Sequence, residues 1–297
     1  KACEIINDFF YYGDRVVGYD HYKNTIFIDK ISNKGIWINY NKNGDIDYGD
    51  YEKAVTSKTK LLAISSVSTF NGHQHDLEKL CEIAHKNGAY VYADIIHHVG
   101  ATPLDVKLSG VDFCSCGAFK WLMADQGMGF LYVKAETLPK LSRPWFGKRQ
   151  IKSLTTHVFP GDNITDDENV YEYELNNTTE GYFSIWSEPR IVVAQLEYSL
   201  GYILEVGVDQ ITEYRAPLLK RLQEEIPKLG FKALTPKASI TPLLAFECEN
   251  APKRLKSVFE EHEIYASIYK GHFRIALSVY TDIDDVERFI EILKIID

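Results

Sequence analysis

Two apolar runs, Lys60 to Val67 (KLLAISSV) and Ala89 to Asp94 (AYVYAD), flank an amphipathic stretch from Asp76 to Asn87, and this spacing constrains the fold more than any other feature. The first run is continuously apolar, as strands are when a sheet is covered on both faces. Between the runs Leu77, Leu80, Cys81 and Ala84 share one helical face, and Asn87-Gly88 supplies the stop. Strand, helix, strand in this order implies parallel pairing through a crossover helix. Further strands are expected at Asp14 to Asp20, Gly35 to Tyr40, Val111 to Gly117 and Gly129 to Val133, with a short helix at Tyr48 to Val55. Thr25 to Ser32 has helical length but a mixed pattern. The predicted class is α/β, with a mostly parallel central sheet and helices on both faces. Glu136 to Thr179 reads as irregular, and Phe183 to Val206 as one long helix closed by Gly207. From about Asp209 the pattern changes to helices and short strands, ending in a helix over Ile283 to Ile295. The expectation is a large domain over residues 1–207 and a small α+β domain over 208–297.

Composition narrows the function classes. The net charge of −9, with no basic run, argues against nucleic acid or an anionic membrane as the main partner. The longest apolar stretches, such as Thr241 to Phe246, are too short to span a bilayer, and no secretion signal is visible at the start. Five cysteines form no paired metal pattern, and Cys114-Ser115-Cys116 puts two thiols on one packed face of a strand. Reduced structural cysteines and a cytoplasmic location are expected. His73 and His75 flank a turn and read as a solvated loop rather than metal ligands. Trp121 and Trp145 read as packing residues.

Asp94 and Lys120 carry the chemistry. The first ends a buried strand, and the second follows the strand at Val111 to Gly117. A carboxylate and an amine at neighbouring strand ends can clamp a pyridine ring: the carboxylate keeps the ring nitrogen protonated while the amine forms a Schiff base with a ring aldehyde. That chemistry points to pyridoxal 5'-phosphate (PLP).

Three segments, KTKLLAISSVSTFNG, EIAHKNGAYVYADIIHHVGATPLDV and VDFCSCGAFKWLMADQGMGFLYV, resemble the class V aminotransferase family of fold-type I PLP enzymes, in that order and spacing. The family includes cysteine desulfurases, kynureninases and isopenicillin-N-epimerase-like proteins. The resemblance continues through Phe273 to Ser278. It implies that Lys120 forms the aldimine and shuttles the α-proton through a quinonoid intermediate, and that Asp94 binds the pyridine nitrogen. His97 would lie near the ring oxygen, Tyr22 would stack on the ring, and Thr69 would bond the ring hydroxyl. Arg274 would grip the substrate α-carboxylate, and Asn177 would lie near the phosphate across a dimer interface. A homodimer acting on an amino acid follows by resemblance only.

Three features depart from the family pattern. Members carry an earlier phosphate-binding turn at a helix N-terminus; Lys1 to Phe10 reads as the body of that helix, so the turn is expected outside this sequence or from another chain. Gly117 and Phe119 stand where many members place Ser and His. Ser267 to His272 lacks the nucleophilic Cys of desulfurases, so persulfide chemistry is not expected. The reading is an aminotransferase-type PLP enzyme. The alternatives are a C–S lyase or epimerase of the same family, and a degenerate non-catalytic scaffold.

Overall fold

The computed structural model describes residues 9–12, 15–18, 25–28, 35–38, 40–144, 146–156, 163, 171–184 and 187–296. A six-stranded sheet lies at the centre, in the order β4 (Gly35–Trp37), β3 (Thr25–Ile28), β5 (Leu61–Ser65), β6 (Tyr90–Asp94), β7 (Phe113–Gly117), β8 (Gly129–Val133). β5, β6 and β7 pair in parallel, while β3 runs antiparallel to both β4 and β5, and β8 antiparallel to β7. Four of the six strands therefore point the same way, in a mixed sheet.

The expected β–α–β unit forms as read. Helix α2 (Leu77–Lys86) is capped by Asp76, whose carboxylate accepts from the Lys79 amide at 3.0 Å, and it buries Leu77, Leu80, Cys81, Ile83 and Ala84. Helix α1 (Tyr48–Ala54) packs against it and buries Tyr51. Two early expectations change. Phe9 and Phe10 belong to β1 (Phe9–Tyr12), paired with β2 (Arg15–Gly18), because a run of four aromatic residues favours extended chain over helix. Thr25–Ile28 is strand for the same reason, with three β-branched residues in four. Residues 1–8 lie outside those described.

Two further segments differ from expectation. Within Glu136 to Thr179, β9 (Ile151–Thr156) and β10 (Tyr171–Leu175) form an antiparallel ribbon. The expected helix from Phe183 is two: α3 (Thr179–Phe183) and α4 (Arg190–Val206). Pro189 is the N-cap of α4, and the residue before a proline is driven out of helical backbone.

Gly207, at φ +86°, ends α4 and starts α5 (Val208–Glu225). Beyond it lie β11 (Leu243–Glu247), α6 (Ala251–Glu261), β12 (Ser267–Ile268), β13 (His272–Ala276) and α7 (Ile283–Lys294), with an antiparallel sheet ordered β11-β13-β12. Two hydrophobic cores result. One gathers β5, β6, β7, α1, α2 and the inner face of α4, the other β11, β13, α6 and α7. Helix α5 spans both, with Ile211 in the first and Leu218, Leu219 and Leu222 in the second. Among the described residues, no single helix is long and apolar enough to cross a membrane.

Candidate active site

The carboxyl ends of β5 and β6 place Ser65 and Asp94 in one row with Ser115 of β7 across the sheet. This is where a parallel sheet offers ligands its open edge. The Asp94 carboxylate accepts from the Ile96 amide at 3.0 Å, and its backbone carbonyl accepts from the Ser66 amide at 2.8 Å. Beside it the Tyr92 and Ser115 hydroxyls are 2.5 Å apart, and burial pushes the Tyr92 phenol up to about 12.

Lys120 is carried not by β7 but by the turn beyond it. The Met123 amide donates to the Lys120 carbonyl at 3.1 Å, and Met123 takes a left-handed φ of +56° to close the turn. Opposite, Gly100 (φ +79°) lets the chain pass close: a Cβ there would stand 2.8 Å from the Trp121 carbonyl. This fit brings the buried His97 against the turn. Lys120 Nζ lies 3.0 Å from His97 Nε2, and Trp121 Nε1 donates to His97 Nδ1 at 3.4 Å. An indole N–H can only donate, so Nδ1 is bare and a neutral His97 carries its proton on Nε2. That proton is then donated to Lys120, which accepts it only as a neutral amine. The Lys120 pKa is lowered, first by desolvation and also by the Arg274 charge, against opposing pulls from Asp94 and Cys116.

Arg274, on β13, reaches back to the β5 side of the site. Nη1 donates to both the carbonyl and the hydroxyl of Thr69, and Nη2 donates to Ser267 Oγ at 3.0 Å. Thr69 rides on a turn held against the second core. Gly72 (φ +69°) leaves room there for the Leu243 carbonyl, which a Cβ would meet at 2.4 Å, and Asn71 donates to the Gly44 carbonyl at 2.8 Å. Lys120, His97 and Arg274 line one cavity of about 370 Å³.

Five of the seven residues singled out in the sequence thus meet here: Lys120, Asp94, His97, Thr69 and Arg274. Asn177 does not. It is exposed and accepts from Arg143 at 2.8 Å, away from this cavity. Tyr22 lies outside the described residues, as does Trp145. Trp121, read as packing, instead fixes the His97 tautomer; its place one residue after Lys120 was the available signal. The reading of His73 and His75 as solvated is corrected: both are buried, ring centroids 4.8 Å apart, because the Thr69 turn folds inward beneath residues 234–243. The phenyl ring of Phe119 fills the space beside Gly117, where a Cβ would meet it at 2.8 Å. Cys81, Cys114, Cys116 and Cys248 are all buried, and burial pushes the first three thiols up to about 12.

Comparison with known proteins shows the family and the fold. An uncharacterized aminotransferase of Schizosaccharomyces pombe is 25% identical over 292 residues, covering 95% of this chain and 71% of that protein. A probable cysteine desulfurase of Pyrococcus abyssi is 26% identical over 309 residues, covering 95% and 72%. The apo cysteine desulfurase of Thermococcus onnurineus NA1 has a similar fold, with a TM-score of 0.74 at 22% identity over 87% of this chain and 65% of that one. The chain therefore spans just under two-thirds of the length of that structure. Residues 16–289 match the aminotransferase class-V family. The chain belongs to the class-V aminotransferase family.

Proposed function

We propose that this chain is a PLP-dependent enzyme of the transferase/lyase kind that acts on an amino acid by aminotransferase-type chemistry. The observation that carries the reading is Lys120: an amine of lowered pKa, 3.0 Å from a buried imidazole and within the field of Asp94 and Arg274. The residues fit the ring end of the cofactor. A carboxylate ends a central strand, a neutral-prone lysine faces the cavity, and an arginine stands on the second core. When bound, PLP supplies an aldehyde that captures amines and a pyridine ring that takes up electron density.

The chain's own residues then have distinct tasks. Asp94 would hold a proton on the pyridine nitrogen by its charge. Lys120 would take and return the substrate α-proton, and the His97 Nε2–H would favour its neutral form. Arg274 would exchange Thr69 and Ser267 for the substrate carboxylate, a planar fork on a planar anion. Thr69, so released, would turn its hydroxyl to the ring oxygen. Tyr22 is proposed as the ring stacker, and Asn177 as a residue serving the partner's site in a homodimer. An apolar stripe on α4 supports the dimer: Ile191 and Tyr198, seven residues apart on one face, are 77% and 83% exposed. The two cores support a domain boundary at Gly207, with α5 reaching across it.

The test is direct. Adding PLP to the purified protein should produce a yellow species, and borohydride should fix the cofactor mass on the Lys120 peptide. A protein that stays colourless and unlabelled refutes the reading. Incubation of the coloured protein with amino acids, with and without a keto acid, then separates amino transfer from elimination. Elimination releases ammonia without the keto acid.

A further inference from the structure

We infer that Arg215 is a second anion-docking point in the Lys120 cavity, and that the substrate is an amino acid carrying a carboxylate on its side chain. The inference rests on the proposed roles of Lys120 and Arg274 for the reaction, and on the chain's geometry for the binding. Arg215 projects from α5 and is only 2% exposed. Its Nη2 donates to the Ala101 carbonyl at 2.6 Å and the Ile240 carbonyl at 3.3 Å. Its Nε is buried with no hydrogen-bond partner. Among the described residues no carboxylate lies within ion-pair distance of it, and no charged group acts on its pKa. Desolvation lowers that pKa to about 10, so the guanidinium remains a cation at neutral pH.

A buried cation served only by carbonyls is costly to keep unless an anion comes to it. Arg215 borders the same cavity as Lys120 and Arg274, whose remaining wall includes Met123, Ile211 and Leu243 and holds no acidic residue. A volume of about 370 Å³ suits a small metabolite. A ligand with two carboxylates would engage Arg274 with one and Arg215 with the other across this apolar wall. A ligand with one carboxylate leaves Arg215 unpaired.

The experiment is calorimetric titration of the PLP-saturated full chain with succinate, glutarate and adipate, each against the monocarboxylate of equal length: butyrate, valerate and hexanoate. At least one diacid should bind ten times more tightly than its monocarboxylate. Arg215→Met should abolish that preference, Arg215→Lys should keep part of it, and Arg274→Met should weaken both ligands. Equal binding of diacid and monoacid by the unaltered protein overturns the inference. So does a preference that survives Arg215→Met, since a purely structural Arg215 would change stability alone. If Arg215→Met does not fold, the unaltered protein and Arg215→Lys decide. The PLP absorbance recorded beforehand reports separately on the cofactor reading.

Discussion

Replacing Trp121 with Phe tests how the site sets the protonation of Lys120. In the native arrangement the indole N–H occupies His97 Nδ1, which leaves the imidazole proton on Nε2, 3.0 Å from the lysine amine. This arrangement stabilises neutral lysine. Phenylalanine keeps most of the ring but removes the donor. The His97 proton is then free to move to Nδ1, leaving a bare Nε2 that accepts from the ammonium form. Lys120 should therefore become more basic. One such hydrogen bond contributes about 0.5–1.5 kcal/mol, a two- to tenfold change in the ratio of neutral to charged lysine at fixed pH. The indole contact is long and Lys120 opens onto the cavity, so the lower half of that range applies. The assay is the pH profile of kcat, which reports the enzyme–substrate complex in which Lys120 is a free amine, with the PLP absorbance followed in parallel. The rising limb should move to higher pH in Trp121→Phe, with the activity at high pH little changed. A limb that stays in place, or moves to lower pH, refutes the proton relay through His97.

Three further outcomes are expected. Phe273 is fully buried among Phe231, Phe246, Phe259 and Phe289, so Phe273→Ala should lower unfolding stability by about 3–5 kcal/mol in a urea titration. His73, His75, His98 and His272 have pKa values lowered by burial. The unfolded chain therefore binds more protons than the folded one. Stability should fall as pH drops below the ordinary histidine value of about 6.5, by up to about 1.4 kcal/mol per pH unit for each such group, and a urea midpoint flat from pH 7 to 5 would contradict this. The four buried cysteines, three with thiols pushed up to about 12, should react with Ellman's reagent only after denaturation.

Much of this was legible in the sequence because it depends on neighbours along the chain. The apolar run of β5 and the stripe on α2 are local patterns, and each formed where expected. The errors were also local, but concerned competition. Aromatic and β-branched residues outweighed helical length at Phe9 and Thr25. Pro189 divided an apolar stretch that otherwise reads as one helix. The strands of the ribbon β9–β10 stabilise each other, so neither half announces itself alone.

The candidate site divides along the same line. Residue type and spacing determined that a carboxylate ends one strand and a lysine follows another, because strand length and turn residues are written in the local sequence. Only the tertiary structure decided which groups meet. Arg274 lies 205 residues from Thr69 yet bonds to it. Arg215 is a charged residue on an amphipathic helix until packing buries it beside the Ala101 carbonyl. His73 and His75 look solvated until the second core covers their turn. Desolvation has no sequence period: it depends on what lies above a side chain in space, and it is desolvation that lowers the pKa values of Lys120 and Arg215 and raises those of the thiols.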